Sequence, residues 1–172
     1  MRRIEWHERT DLLRDSLSSG GAFLVALDES GRANPMTIGW AQVGIVWSRP
    51  ILTVYVRESR YTHRCLRQAD SFTVSVPHPG ALDRALALCG SKSGRDLDKM
   101  RAGGLSAIPG RSVSTPVIDG CALYYECRIV GRTQQELPDL AAKDVIERYY
   151  PKGDPHLAVY GEILSAYVAD RS

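Results

Sequence analysis

Four polar residues in one short stretch, Arg57, Ser59, Arg60 and Thr62, have the types and spacing that hold a phosphate. Arginine offers a planar fork that donates two parallel hydrogen bonds to a phosphate. Hydroxyls add further donors, and a helix N-terminus contributes unpaired N–H groups with a partial positive charge. Ser59 stands where an N-cap belongs, ahead of a predicted helix over residues 60–68. A second polar cluster, Ser91, Lys92 and Ser93, follows Cys89 and Gly90. Ser93 with Asp96 three residues on resembles a capping box, with Asp standing in for Glu. The spacing puts Ser91, Lys92 and Ser93 at a second helix N-terminus, in a helix that runs through Lys99 or Arg101 and stops at Gly103-Gly104. The plainer alternative for both clusters is capped surface helices with solvated charges.

The elements that must position these groups are mostly strands. Residues 36–47 are apolar and rich in β-branched and aromatic residues. A turn at Ser48-Arg49-Pro50 follows, because proline presets a turn dihedral and is excluded from central strands. In residues 51–56, Leu52, Val54 and Val56 alternate with Thr53 and Tyr55. Residues 22–28 and 71–76 read as further strands, each closed by a turn, at Glu29-Ser30-Gly31 and at residues 77–80. A helix over 81–88 comes next, with Gly90 just past its end. Residues 109–116 read as loop. Residues 121–131 alternate most clearly, with Cys121, Leu123, Tyr125, Cys127 and Ile129 on one face, as in a half-buried antiparallel strand. Residues 4–17 read as a short amphipathic or irregular lead-in, 138–149 have helical spacing but little apolar content, and 157–168 supply the last strand or pair of strands.

The 172 residues suit one domain spanning 1–172, long enough to bury a core without metal or disulfide staples. A net charge of +2, with no lysine- or arginine-rich run, gives no case for a nucleic-acid partner. No apolar run approaches the roughly 20 residues a membrane helix needs, so no membrane partner is expected. The N-terminal residues carry charges throughout and lack the apolar segment of a signal peptide, so the expected location is cytoplasmic. The four cysteines, 65, 89, 121 and 127, form no C-x-x-C pair, and none has a histidine at metal-ligand spacing. Free thiols and no metal site are expected, with Cys121 and Cys127 as packing residues. There is no G-x-G-x-x-G for a tightly held dinucleotide. No G-x-S-x-G elbow frames a nucleophile.

Many short strands, Gly/Pro turns and a few short helices argue for an antiparallel barrel with helical inserts. Four blocks carry a sharper likeness: N-x-M-T-I-G-W at 34–40, R-x-S-R-Y-T at 57–62, C-G-S-K-S-G-R-D at 89–96, and G-D-x-H with Y-G-E-I at 153–156 and 160–163. In that order they resemble the flavin reductase-like family. The resemblance implies a mainly β, antiparallel, Greek-key FMN-binding split β-barrel with a few short helices. It implies FMN as cofactor and NADH or NADPH as transient hydride donor. Ser59, Arg60, Thr62 and Lys92 would hold the phosphate. Backbone groups of Met36, Thr37, Ile38 and Gly39, with the Asn34 and Thr37 side chains, would meet the polar edge of the ring, and Gly39 would allow close approach. Arg57, Cys89, Gly90, Ser91 and Ser93 fall in the same cofactor-binding blocks. His156 has two readings, a residue at the reacting face or a loop histidine hydrogen-bonded to backbone. Trp40 reads as core or as packing beside the ring, Glu162 as a structural carboxylate, and His7, His63 and His78 as surface residues.

The resemblance further implies a homodimer with flavin near the interface. Electrons would pass to free flavin, a partner oxygenase, ferric iron or another acceptor. A flavoredoxin-like electron carrier and a non-catalytic flavin-binding protein remain as alternatives. Two departures stand out: Ser91 occupies a position where threonine is common, and 138–149 matches no family motif.

Overall fold

A computed structural model describes residues 1–170; the last two residues of the 1–172 domain reading lie outside the described residues. Ten strands and five α-helices follow one another as β1 (Arg2–Ile4), α1 (Thr10–Ser19), β2 (Ala22–Leu27), β3 (Ala33–Ile38), β4 (Ala41–Val46), β5 (Arg49–Arg57), α2 (Tyr61–Gln68), β6 (Ser71–Pro77), α3 (Asp83–Ser91), α4 (Lys99–Ala102), β7 (Ala107–Ile108), β8 (Val117–Ile118), β9 (Cys121–Gln134), α5 (Lys143–Tyr149) and β10 (His156–Val168). The main sheet is antiparallel, in the order β3-β2-β6-β9-β10-β5-β4, with β1 added alongside β10. Strands consecutive in sequence, β3 and β4, therefore lie at opposite ends of it. The run over 36–47 is not one strand. It breaks at Gly39-Trp40, where the chain leaves one border of the sheet and joins the other.

The predicted turn also moves. Val46 pairs with Arg49, so the hairpin loop is the two residues Trp47 and Ser48, with φ of 52° and 57°. Positive φ at both central residues marks the hairpin geometry that matches strand twist. Pro50 lies inside β5, tolerated because β10 pairs with β5 only from Ile51 onward.

The barrel interior collects one face of nearly every strand: Leu24, Leu52, Val54, Val56, Phe72, Val74, Leu123, Tyr125, Cys127 and Leu157. The opposite face of β2, β6 and β9 is covered too. Phe23, Val25, Tyr124 and Tyr167 pack against Leu86 and Cys89 of α3 and against Val117 and Ile118 of β8. Strand β9 is accordingly buried on both faces over its first half, not half-solvated. A register shift beside Pro77 also turns Cys121 into this outer layer, away from Cys127 in the interior. Both remain packing thiols, fully buried. Where β9 pairs with β10 the register shifts between Tyr160 and Gly161, leaving Val130 of β9 as the extra residue. A Cβ at Gly161 would lie 2.5 Å from the Phe72 ring, so only glycine lets the strand approach there.

Candidate functional site

Two adjoining cavities open where the β3–β4 corner meets the start of α2 and the end of α3. The first, about 170 Å³, is walled by Met36 to Trp40, Tyr55, Arg57, Arg60 and His156. The second, about 140 Å³, is polar: Ser59, Thr62, Lys92, Ser93 and Arg95 line it, with Cys89, Ser91 and Lys99. Met36 and Arg60 border both, so the two form one groove with an aromatic end and a cationic end.

The cationic end is built differently from the sequence expectation. Ser59 is not an N-cap. Its N–H and hydroxyl donate to the Asp154 carboxylate at 2.9 and 2.7 Å, and Arg60 takes the cap position with no side-chain capping bond. Asp154, at φ 69° in the G-D-P-H turn, competes successfully because it offers two oxygens where a cap offers the hydroxyl one N–H. The Ser59 donors hold its carboxyl below the ordinary range, although burial opposes them. Ser91, Lys92 and Ser93 lie at the C-terminus of α3, not at a helix N-terminus. The Ser91 hydroxyl donates to the Ala87 carbonyl at 2.7 Å, and Gly90 is inside the helix. Ser93 Oγ accepts from Arg95 N–H in a local turn, and the cap of α4 is Asp98, which accepts from Arg101. The partial negative charge of the α3 terminus is met by the Arg60 guanidinium, which donates to the Gly90 carbonyl.

Lys99 was missed from sequence. It is only 4% exposed, at the first residue of α4, and lines the polar cavity. Among the described residues no hydrogen bond or ion pair engages its ammonium, and burial lowers its pKa. A lysine buried this far, with no protein partner for its charge, marks a place where an anion fits. The available signal was Asp98. Read as the cap, it puts Lys99 in the first turn, facing inward, rather than at the helix end.

Asn34 and Thr37 also depart from expectation. Asn34 Nδ2 donates to Thr62 Oγ1 at 2.8 Å, tying β3 to α2, and Asn34 does not line the aromatic cavity. A Cβ at Gly94 would sit 2.1 Å from Asn34 Oδ1, which explains glycine there. Thr37 lines the aromatic cavity but donates its hydroxyl to the Leu86 carbonyl at 2.6 Å. Arg57 faces the aromatic end. Its guanidinium donates to the carbonyls of Asp154 at 3.0 Å and Tyr149 at 2.7 Å, holding the loop before β10. Cys89 is a wall residue whose thiol is pushed up to about 11 by burial, so it is inert.

His156 is the first residue of β10, 7% exposed, and its bond is to a side chain rather than to backbone. Its Nδ1 lies 2.7 Å from the Tyr150 hydroxyl, which also reaches Gln135 Oε1 at 2.8 Å. A carbonyl oxygen only accepts, so the single Tyr150 proton goes to Gln135 and His156 Nδ1–H donates to Tyr150. Nε2 is then left as an acceptor. Burial, with the nearby Arg57 charge, lowers the His156 pKa to about 4, so the ring is neutral at pH 7. Trp40, 38% exposed, is not core; its ring packs on His156 at 4.7 Å and edge-on to Tyr149 at 5.1 Å.

Away from the groove, Glu162 accepts from Arg49 and Arg128 as a structural carboxylate. His63 is partly buried with Nε2 unpaired, not a free surface residue. Residues 138–149 resolve into a 3₁₀ turn at Leu137–Asp139 and α5. All four cysteines are free, and among the described residues no group of His, Cys, Asp and Glu has metal-binding geometry. No helix of the described residues is long and apolar enough to cross a membrane.

An antiparallel split barrel with this groove at its corner defines a flavin reductase-like fold. The Flavin reductase like domain matches residues 14–172, and the chain belongs to that family. Flavoredoxin from Methanosarcina acetivorans is 29% identical, with a TM-score of 0.66 over 87% of this chain and 68% of its own. Flavoredoxin of Desulfovibrio vulgaris (Miyazaki F) is 25% identical, with a TM-score of 0.68 over 88% and 70%. An uncharacterized protein of Archaeoglobus fulgidus is 32% identical over 99 residues, 58% of this chain; the match spans 55% of that relative's length.

Proposed function

We propose that the groove binds FMN, its phosphate at the cationic end and its ring at the aromatic end, and that the protein is an NAD(P)H-dependent flavin oxidoreductase. The observation that carries this is the buried Lys99, its ammonium unpartnered, in a hydroxyl-lined pocket continuous with an aromatic one. The residues fit the group. Lys99, Arg60 and Lys92 supply charge, Thr62 a hydroxyl, and α2 its first N–H groups. FMN, when bound, supplies hydride and electron transfer, for which the protein provides position and electrostatics.

This chain's own residues do the rest. The backbone from Met36 to Gly39 borders the ring pocket, and Arg57, on the same wall, would set positive charge beside a reduced ring. Neutral His156 offers an acceptor nitrogen at the same wall, and Trp40 shields it from water. Each cavity is smaller than the roughly 300 Å³ of a typical small-molecule site, so a second copy covering the groove would complete it. A homodimer with flavin near the interface is therefore part of the proposal, as is delivery of electrons to free flavin, a partner oxygenase or another acceptor.

A flavoredoxin-like electron carrier is the second reading, favoured by the likeness to two flavoredoxins. An anaerobic absorbance spectrum of the FMN-loaded protein, before and after NADH and then NADPH, separates the two. Bleaching by either donor supports the reductase. Bound flavin that resists both leaves the carrier. Failure to bind added FMN removes both.

A further inference from the structure

Val145 and Tyr149 of α5 help to wall a third cavity. About 460 Å³ in volume, it lies between β4 and α5 and shares Gly39, Trp40 and Tyr55 with the ring pocket. Its other walls include Gln42, Gln135, Val145, Tyr149 and Tyr150. No charged side chain lines it. Helix α5 carries Lys143, Asp144, Glu147 and Arg148, but none of these faces the cleft. Four of the lining residues are aromatic, and the volume suits a small organic ligand.

The two glutamines add a directional feature. Gln42 Oε1 accepts from the Tyr55 hydroxyl at 2.9 Å, and Gln135 Oε1 accepts from Tyr150 at 2.8 Å. With both amide oxygens occupied, each side chain is left with an –NH₂ donor that has no protein acceptor among the described residues. Aromatic walls plus uncharged donors recognise a flat, neutral molecule carrying carbonyl-type oxygens. The nearest guanidinium groups, Arg148 over the Tyr149 ring at 5.3 Å and Arg57 over the Tyr150 ring at 5.1 Å, are not among the lining residues, so the wall itself offers a pyrophosphate or carboxylate no cation.

We infer that the cleft beside Trp40 is an acceptor site for a neutral planar carbonyl compound of the quinone or aromatic-ketone class. This rests on reading the adjoining pocket as the flavin-ring pocket. The ligand stacks on the aromatic wall formed by Trp40 and Tyr149, with its oxygens toward Gln42 and Gln135. The segment 138–149 is then the specificity element of the protein, and a different sequence there would admit a different acceptor.

Duroquinone, whose ring positions are all methylated against thiol addition, is the probe. It is titrated calorimetrically into the FMN-loaded protein and its Val145→Arg and Gln42→Leu/Gln135→Leu variants, with FMN affinity measured on each. Saturable binding with little dependence on salt is expected. Val145→Arg should weaken it at least tenfold with FMN affinity intact, and the double glutamine change by roughly tenfold through two lost donors. The inference is overturned if duroquinone fails to bind a protein that holds FMN, or binds Val145→Arg as well as the parent. It is equally overturned if Val145→Arg turns a dimer into monomers on sedimentation, since a second copy would then fill the cleft. If FMN itself does not bind, the proposed function falls, and duroquinone titration of the unloaded chain still decides the cleft.

Discussion

Replacing Lys99 by methionine should have two effects of opposite sign. In the ligand-free protein the lysine is 4% exposed, its ammonium has no partner among the described residues, and burial holds its pKa below the ordinary value. Methionine keeps the length and removes the buried charge. The unloaded variant should gain roughly 1 kcal/mol or more of stability. For a domain of this size that raises the melting temperature by about 2–4 °C per kcal/mol. The loaded protein should lose what Lys99 gives the phosphate. A charge-assisted hydrogen bond contributes about 1.5–3 kcal/mol, so FMN affinity should fall roughly 10- to 150-fold. The pH dependence follows the same logic. Between the lowered folded value and the ordinary one, the unfolded chain binds more protons than the folded chain, so unloaded stability rises with pH there. Lys99→Met should flatten that rise. Thermal melts with and without FMN across neutral to alkaline pH, with a fluorescence titration of FMN, read all three. A variant with unchanged FMN affinity and an unchanged unloaded melt would show that Lys99 is neither buried at a cost nor facing the phosphate.

His156 predicts an acid-side effect. Its folded pKa is about 4 against an ordinary 6.5, so its stabilisation is complete above 6.5 and is lost as pH falls toward 4. That is worth about 3 kcal/mol across the window, and the difference between parent and His156→Gln in denaturant melts should show it. Glu126 is fully buried and accepts from the N–H groups of Arg111 and Ser112 and from the Tyr167 hydroxyl. Glu126→Gln puts donors against donors and should cost at least about 2 kcal/mol in urea unfolding, with FMN affinity preserved. Cys127→Ala should cost about 1 kcal/mol for the void beside Phe72 and Gly161 without altering flavin binding; lost affinity in a folded variant would contradict a packing role.

The strands were the most legible part of the sequence, because a barrel interior demands period-two apolar residues and Leu52, Val54 and Val56 show it plainly. Less legible was what covers the outside. Tyr124 looks like part of a solvated face until α3 and β8 are placed over it, and so does Glu126 until the loop at Arg111 and Ser112 donates to it. The bulge that reverses Cys121 leaves no mark in composition. In the groove, the motif residues come together as expected, but their hydrogen bonds do not follow from local spacing. Ser59 is claimed by Asp154 and Asn34 by Thr62, partners 95 and 28 positions away. Local pattern names the groups that gather; long-range pairing decides which of them stay free. Lys99 stays free, and only its neighbour Asp98, read as a cap, announces it.

The corner at Gly39-Trp40 carries a consequence for motion. Because β3 and β4 border opposite ends of one sheet, the ring pocket sits on the line along which the barrel would part. Breathing of the sheet must draw Met36 away from Tyr55 and Arg57. A ligand gripping both sides would work as a clasp, its binding energy opposing every such opening. Amide hydrogens on β6 and β9, strands that line neither cavity, should then exchange with solvent more slowly once the groove is filled. The whole sheet would report occupancy of a site at its seam.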